Sequence, residues 1–457
     1  MSATSNRPDP MEAEIEHALD PGRFVSDRGC FRFVGGLEQV AAAIGRLVTD
    51  DPDRAATLYE TFLAGCYEKA EEVDDSSGSF GMFAQSLISG WITARQAAQV
   101  SPQQTTARLL AWMDDDQYGF CHRLEHEIAT VFDEAGLAAF IDAIRSRFEA
   151  ADQATPASAG SDQADRDARR RRAEAARWAG ALRSLYAAGG DLDAYVELAD
   201  RTGLTADDCL TVANLLVTQG DPAQALAWVD RGLELDAHRP YPSFAAHSLT
   251  DLKPRLLADL GHGEQALETA WADYRKHPDR HSYDHLMTFV PQAERPGWHD
   301  KAITTALDGD RYLPAVIELL LHTDETGRLG QLAARTPDSS WEGVGHHAAE
   351  QAGTALEPDH PGEAARIWRA AGMRILKAGK SKYYDAALRY FEHAKRCYQQ
   401  ADQPAQWQQV VDEVYAQHRR KTSFLPGFAE VATGTGPTRQ PSFLEQAKAR
   451  WGRQVPE

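Results

Sequence analysis

Between Leu210 and Asp236 the chain reads LTVANLLVTQGDPAQALAWVDRGLELD, and its apolar positions keep helical spacing on both sides of a short polar break. Val212, Leu215 and Leu216 share a face in the first half, which stops at Gly220. Ala225, Leu226, Val229 and Leu233 share one in the second half. Asp221 offers a side-chain acceptor to the free amides of the new helix, and Pro222 suits its first turn, where the missing N–H has no partner in any case. The stretch predicts a helical hairpin with a seam of small residues.

The same period runs through most of the chain. Residues 1–20 read as a loose, disordered tail, and the segment from Phe24 to Phe33 as a short extended piece limited by Gly29, Gly35 and Gly36. From Leu37 helices take over. RAATLYETFLAGCYEKAEEV places Ala55, Leu58, Tyr59, Phe62 and Cys66 on one face, and further amphipathic stretches complete an N-terminal helical domain over 21–150. Residues 151–165, ADQATPASAGSDQAD, are small, polar and aperiodic, the composition of a linker. Beyond it the hairpin repeats. Leu216, Gly220 and Ala225-Leu226 recur as Leu257, Gly261 and Ala266-Leu267, a shift of 41 residues. Ala365, Trp368 and Gly372 repeat the spacing of Ala225, Trp228 and Gly232, and Ala387-Leu388 with Ala394 repeat it again. With no sustained alternation of period two, the expected class is all-α: a degenerate, tetratricopeptide-like helical-hairpin solenoid in two blocks, the second spanning 166–432. A tail over 433–457 carries one last short helix, FLEQAKARW.

At 457 residues the chain is too long for one compact core. Its mean hydropathy is −0.48, and no apolar run approaches the roughly 20 residues that span a bilayer. The polar, acidic start lacks a signal-peptide core, so a cytoplasmic protein with no membrane partner is expected. Cys30, Cys66, Cys121, Cys209 and Cys397 are scattered without a CxxC pair, which suggests small buried residues rather than a disulfide framework or zinc ribbon. A net charge of −20 argues against a protein that coats nucleic acid over its whole surface. The charge is uneven, however: residues 1–150 hold 25 acidic and 12 basic side chains, whereas 366–421 hold 5 acidic and 12 basic.

The basic region carries a resemblance. Tyr383-Tyr384, Ala386-Ala387-Leu388, Trp407 and the run His418-Arg419-Arg420-Lys421 before Leu425 resemble the helical tail of bacterial SWIM zinc-finger proteins and of a helical family without assigned function that shares that tail. The turns DDSSG at 74–78 and DDDQYG at 114–119 look like the same family. A SWIM finger needs a Cys-x-Cys pair and a distal Cys-x-His, and this sequence has neither, so the contacts of that finger do not carry over.

Four motifs invite chemistry. His122-Arg-Leu-Glu125-His126 matches the H-x-x-E-H signature of inverted zinc peptidases, in which two imidazoles one helical turn apart hold zinc beside a glutamate base. The His281/His285 pair repeats the spacing, as chance allows among 16 histidines. Asp74 begins a stretch like a calcium loop, but the sixth and twelfth positions are Ser79 and Gln85 where glycine and glutamate are needed, so a helix-capping turn is the expectation. Arg169 to Arg172 read as a solvated helix start, with contact to an acidic partner or to the acidic N-terminal block as the alternative. Lys380, Lys382, Arg389, Arg396, Arg419, Arg420 and Lys421, with Lys377 and Lys395, interleave with Tyr383, Tyr384, Tyr390 and Tyr398. Cations that track phosphates and aromatics that stack on bases would suit nucleic acid or an acidic partner, although tyrosines at this spacing more often pack between repeat helices.

The reading that follows is a non-enzymatic interaction scaffold or adaptor for a protein partner, with no cofactor or metal. A nucleic-acid accessory protein using the basic C-terminal hairpins is the alternative, and a zinc hydrolase through His122, Glu125 and His126 the third.

Overall fold

The computed structural model describes residues 9–153, 162–309 and 312–434. These form an all-α structure in two compact units that divide between Leu249 and Thr250. Among the described residues the extended structure is confined to one isolated parallel bridge, Val25 to Val73.

The first unit holds α1 (Pro10–Leu19), α2 (Asp27–Leu47), α3 (Pro52–Lys69), α4 (Ser79–Ala97), α5 (Pro102–Asp115), α6 (Leu124–Ile128), α7 (Glu134–Gln153), α8 (Asp162–Gly189), α9 (Leu192–Thr202), α10 (Ala206–Thr218) and α11 (Pro222–Ala237). Part of the expected N-terminal tail is therefore structured. Asp9 caps α1, Arg54 holds the Asp9 carboxylate at 2.7 Å, and Ile15 and Leu19 are buried. Nor is there an extended piece over 24–33 beyond Val25. Helix α2 runs straight through Gly29, Gly35 and Gly36, because Cys30, Val34, Leu37 and Ile44 keep one face buried. Burial of that face outweighs the cost of roughly 1 kcal/mol that each glycine brings to a helix interior.

The 151–165 stretch does not coincide with the division of the chain, which falls at 249/250. Helix α7 ends at Gln153 and α8 begins at Asp162; residues 154–161 lie outside the described residues. On either side of them α7 and α8 pack together: Arg145 donates to the Tyr186 hydroxyl at 3.2 Å, and the Arg147 guanidinium lies 4.9 Å above the Trp178 ring. The expected terminal helix at 443–451 also lies outside the described residues.

Helix α12 (Phe244–Asp259) crosses the boundary, and the second unit continues with α13 (Gly263–Lys276), α14 (Arg280–Phe289), α15 (Arg295–Leu307), α16 (Leu313–His322), α17 (Thr326–Arg335), α18 (Asp338–Trp341), α19 (His346–Leu356), α20 (Pro361–Ala378), α21 (Tyr384–Gln400), α22 (Pro404–His418) and α23 (Leu425–Thr433). One continuous apolar core runs from Ala270 to Val431. Three of the first helices, α14, α16 and α19, begin at residues 280, 313 and 346, a register of 33 residues. The 41-residue shift visible in the sequence is thus local to the α10–α13 hairpins.

One turn joins the helices of successive hairpins. At Gly190, Gly220, Gly261, Asp324 and Asp402 the chain takes a left-handed conformation, and the next residue's N–H reaches back to the carbonyl five residues earlier, as from Asp221 to Leu216 at 2.9 Å. This closes the open carbonyls of one helix and aims the chain into the next.

Candidate functional site

Three stacked helices of the second unit flank an open groove of about 1160 Å³. Helix α14 contributes Arg280, His281 and Asp284; α16 contributes Pro314, Ala315, Glu318, Leu321 and His322; α19 contributes His347, Ala348 and Gln351. His281, Pro314 and His347 stand at the same step of their helices, one repeat of 33 residues apart. Tyr312, at the start of α16, is 77% exposed beside the opening.

The polar groups are held in place. His322 Nε2 is 2.8 Å from Asp284 Oδ1, and Arg280 lies between Asp284 at 3.9 Å and Glu318 at 3.8 Å. Behind them His281 contacts Asp251 at 3.1 Å and stacks on His285, with ring centroids 6.4 Å apart. His285 is buried, its Nε2 has no hydrogen-bond partner, and burial pushes its pKa below the usual imidazole range. The result is an apolar floor of Leu321, Ala315 and Ala348 beside a set of hydrogen-bond donors and acceptors.

The basic residues of 366–421 do not form one surface. Arg366 and Arg369 are structural: Arg369, 8% exposed, meets Asp338 at 3.2 Å and also pairs with Glu413, while Arg366 binds Asp338 and the carbonyls of Ala333 and Thr336. Lys395 donates to the Val431 carbonyl at 2.7 Å, near the end of α23, and Arg396 pairs with Glu357 at 2.7 Å. Arg389 stands exposed on α21; Lys380 and Lys382 are exposed in the turn before it, Lys382 above the Tyr383 ring. Arg419, Arg420 and Lys421 cluster after α22. Tyr384, Tyr390 and Tyr398 are buried, and only Tyr383 of the four tyrosines is exposed. They pack between helices, the commoner role for tyrosines at this spacing, and so offer no platform for stacked bases.

The zinc reading fails on geometry. Helix α6 starts only at Leu124, His122 sits in the turn before it, and Arg123 has φ +57°. The two imidazoles therefore do not share a helical face with Glu125. Helix α6 instead buries Leu124 and Ile128, and among the described residues no three His, Cys, Asp or Glu side chains are grouped to hold a metal. The 74–78 turn caps a helix, as its sequence suggested: Asp75 accepts from the Phe80 and Gly81 amides at 2.8 Å, and Asp74 from Ser76. Arg169 to Arg172 lie on α8, where Arg170 and Arg171 face a cavity shared with Asp114, Arg147 and Glu174. All five cysteines are free and buried.

Helical hairpins stacked on a continuous core, with a groove across three first helices, define an all-α helical-repeat protein. Residues 22–426 match the family of unknown function DUF6880, and the chain belongs to that family. No curated protein matches it in sequence. Among solved structures, a chain of the Naa15/Naa10 complex bound to HypK-THB is similar over 92% of this chain at 11% identity, with a TM-score of 0.34. This chain spans 65% of the length of that one. A circular tandem repeat protein with novel repeat topology and enhanced subunit contact surfaces is similar over 91% of this chain and 96% of its own, at 13% identity and a TM-score of 0.18.

Proposed function

We propose that this chain is an interaction scaffold that seats a segment of a protein partner in the groove across α14, α16 and α19. The observation that carries this reading is the groove itself, repeated side by side in a 33-residue register and fitted with both an apolar floor and fixed polar groups. Each first helix offers a similar step to an extended peptide, which is how repeat proteins gain length of contact without a deep pocket. Asp284 and Glu318 outnumber Arg280 in the walls, which favours a segment carrying lysine or arginine.

The test uses the full chain. A partner cross-linked to the wild-type protein and identified by mass spectrometry is measured against Ala315→Arg, which fills the floor of the groove from a half-buried position. At least a tenfold weaker affinity with unchanged thermal unfolding is expected. Equal affinity would remove the groove from the binding site. The nucleic-acid alternative keeps exposed cations at Lys380, Lys382, Arg389, Arg419 and Arg420 but loses Arg396 to Glu357 and the stacking by Tyr384, Tyr390 and Tyr398. Its own test is a mobility shift with single-stranded DNA or RNA at low salt.

A further inference from the structure

A second cavity, of about 750 Å³, lies where the end of α20, the start of α21, the last turn of α22 and the 419–423 turn meet. Its charged lining is cationic: Lys377, Arg419, Arg420 and Lys421, with the hydroxyls of Thr422 and Ser423 beside them. Lys377 is ion-paired with Glu342, and Lys421 Nζ stands 3.5 Å from the Tyr384 hydroxyl. Arg419 and Arg420 are exposed, and neither has an ion-pair partner among the described residues. Two guanidiniums and an ammonium thus meet at one cavity whose lining includes no carboxylate.

His418 forms part of the inner wall. His418 is 8% exposed, lines the cavity, and its Nε2 is shut off from solvent with no hydrogen-bond partner. Burial, then Lys421 and Lys377, push the His418 pKa down, against the opposite pull of Glu413 and Glu342. An anion in the cavity would offset the field of those lysines.

We propose that this cavity binds a phosphomonoester group, with Arg419 and Arg420 as forked donors and Lys421 as the point charge. A single carboxylate would leave most of this positive charge unbalanced, whereas a dianionic phosphate brings two charges and three strong acceptor oxygens. A nucleic-acid strand needs a track of cations with stacking platforms. Here Arg396 and Lys395 are occupied by Glu357 and by the Val431 carbonyl, and three of the tyrosines are buried. The charge is concentrated at a pocket. The phosphate belongs either to a small free metabolite or to a phosphorylated side chain of a partner, and the chemistry at Arg419 and Arg420 is the same for both.

Calorimetric titration of the full chain with inorganic phosphate, with a phosphoserine peptide, with its unphosphorylated counterpart and with a single-stranded oligonucleotide tests this. Inorganic phosphate and the phosphopeptide are expected to compete for one saturable site, and the unphosphorylated peptide to show no competition. The Arg419→Ala/Arg420→Ala variant, altered only at exposed positions, is expected to bind phosphate at least tenfold more weakly while unfolding at the same temperature. A phosphopeptide that outbinds free phosphate assigns the group to a partner protein; equal affinities assign it to a small ligand. Absence of saturable phosphate binding, unchanged affinity in the double variant, or an oligonucleotide that outbinds the phosphopeptide would each overturn the proposal.

Discussion

Gly372 on α20 lies so close to α21 that an added Cβ would sit 2.8 Å from the ring of Phe391. Gly232 on α11 is held in the same way, 2.6 Å from Leu249 and 2.8 Å from Cys209. Both occupy the same column of the repeat, and their spacing from Ala225 and Ala365 was visible in the sequence. Gly35 on α2 is the contrasting case, a helical glycine with open space around its Cα. Gly372→Ala is therefore expected to cost about 1–3 kcal/mol through overpacking, and Gly35→Ala to gain up to about 1 kcal/mol from helix propensity. Urea unfolding measures both, and equal shifts of one sign would refute the packing explanation. Other residues could not be placed from sequence. Arg369 carries no signal in the sequence, yet the fold buries it among Asp338, Glu342 and Glu413 to tie α18, α20 and α22 together. Nothing in the spacing of a lone arginine reports carboxylates 31 and 44 residues away.

At the scale of elements, the turn between paired helices is the repeating device. Gly220, at φ +81°, fills its left-handed position without a Cβ penalty, and Gly261 does so at +82°. Asp324 and Asp402 hold the same position in later hairpins, which is why a search for glycine columns finds only some of the copies. Gly220→Ala is expected to destabilise by about 1–2 kcal/mol, the cost of a left-handed alanine. A midpoint in urea equal to that of the wild type would contradict it. Two elements departed from their sequence patterns for the same reason. Helix α2 begins ten residues before Leu37, because its buried face outweighs three glycines. At His122-x-x-Glu-His126 the chain is instead turned at Arg123 so that Leu124 and Ile128 reach the core. In both cases burial decided the conformation over local preference.

For the molecule as a whole, stability should depend on pH with a definite sign. His285 and His418 have their pKa lowered chiefly by burial, so the unfolded chain takes up protons near pH 6.5 that the folded chain does not. Stability present above that value is lost as the pH falls below it. Asp9, held low by Arg54, and Asp221, held low by the Gln224 amide, act further down: their contribution is complete above the usual carboxylate pKa and disappears as the pH falls through their own. At the other end burial pushes Cys209 and Cys397 up to about 11 and Tyr195 and Tyr398 up to about 12, so alkali ionises the unfolded chain first and again favours it. The urea midpoint is expected to be highest around pH 7–8 and to decline on both sides. A midpoint that rises between pH 7 and pH 5 would exclude the histidine contribution.

The sequence by itself determined the helices that carry strong amphipathic period, the cap at Asp221, the small-residue columns and the all-α class. Each of these is written in residues within a few turns of one another, where spacing and side-chain type act directly on the backbone. The tertiary structure alone decided the 33-residue register of α14, α16 and α19, the groove they flank and the gathering of Arg419, Arg420, Lys421 and His418 around a cavity closed by α20 and α21. It also decided which cations are consumed by the fold and which stay open. Those outcomes depend on which helix face meets which neighbour, a choice made by the packing of the whole core and recorded in no single stretch of chain.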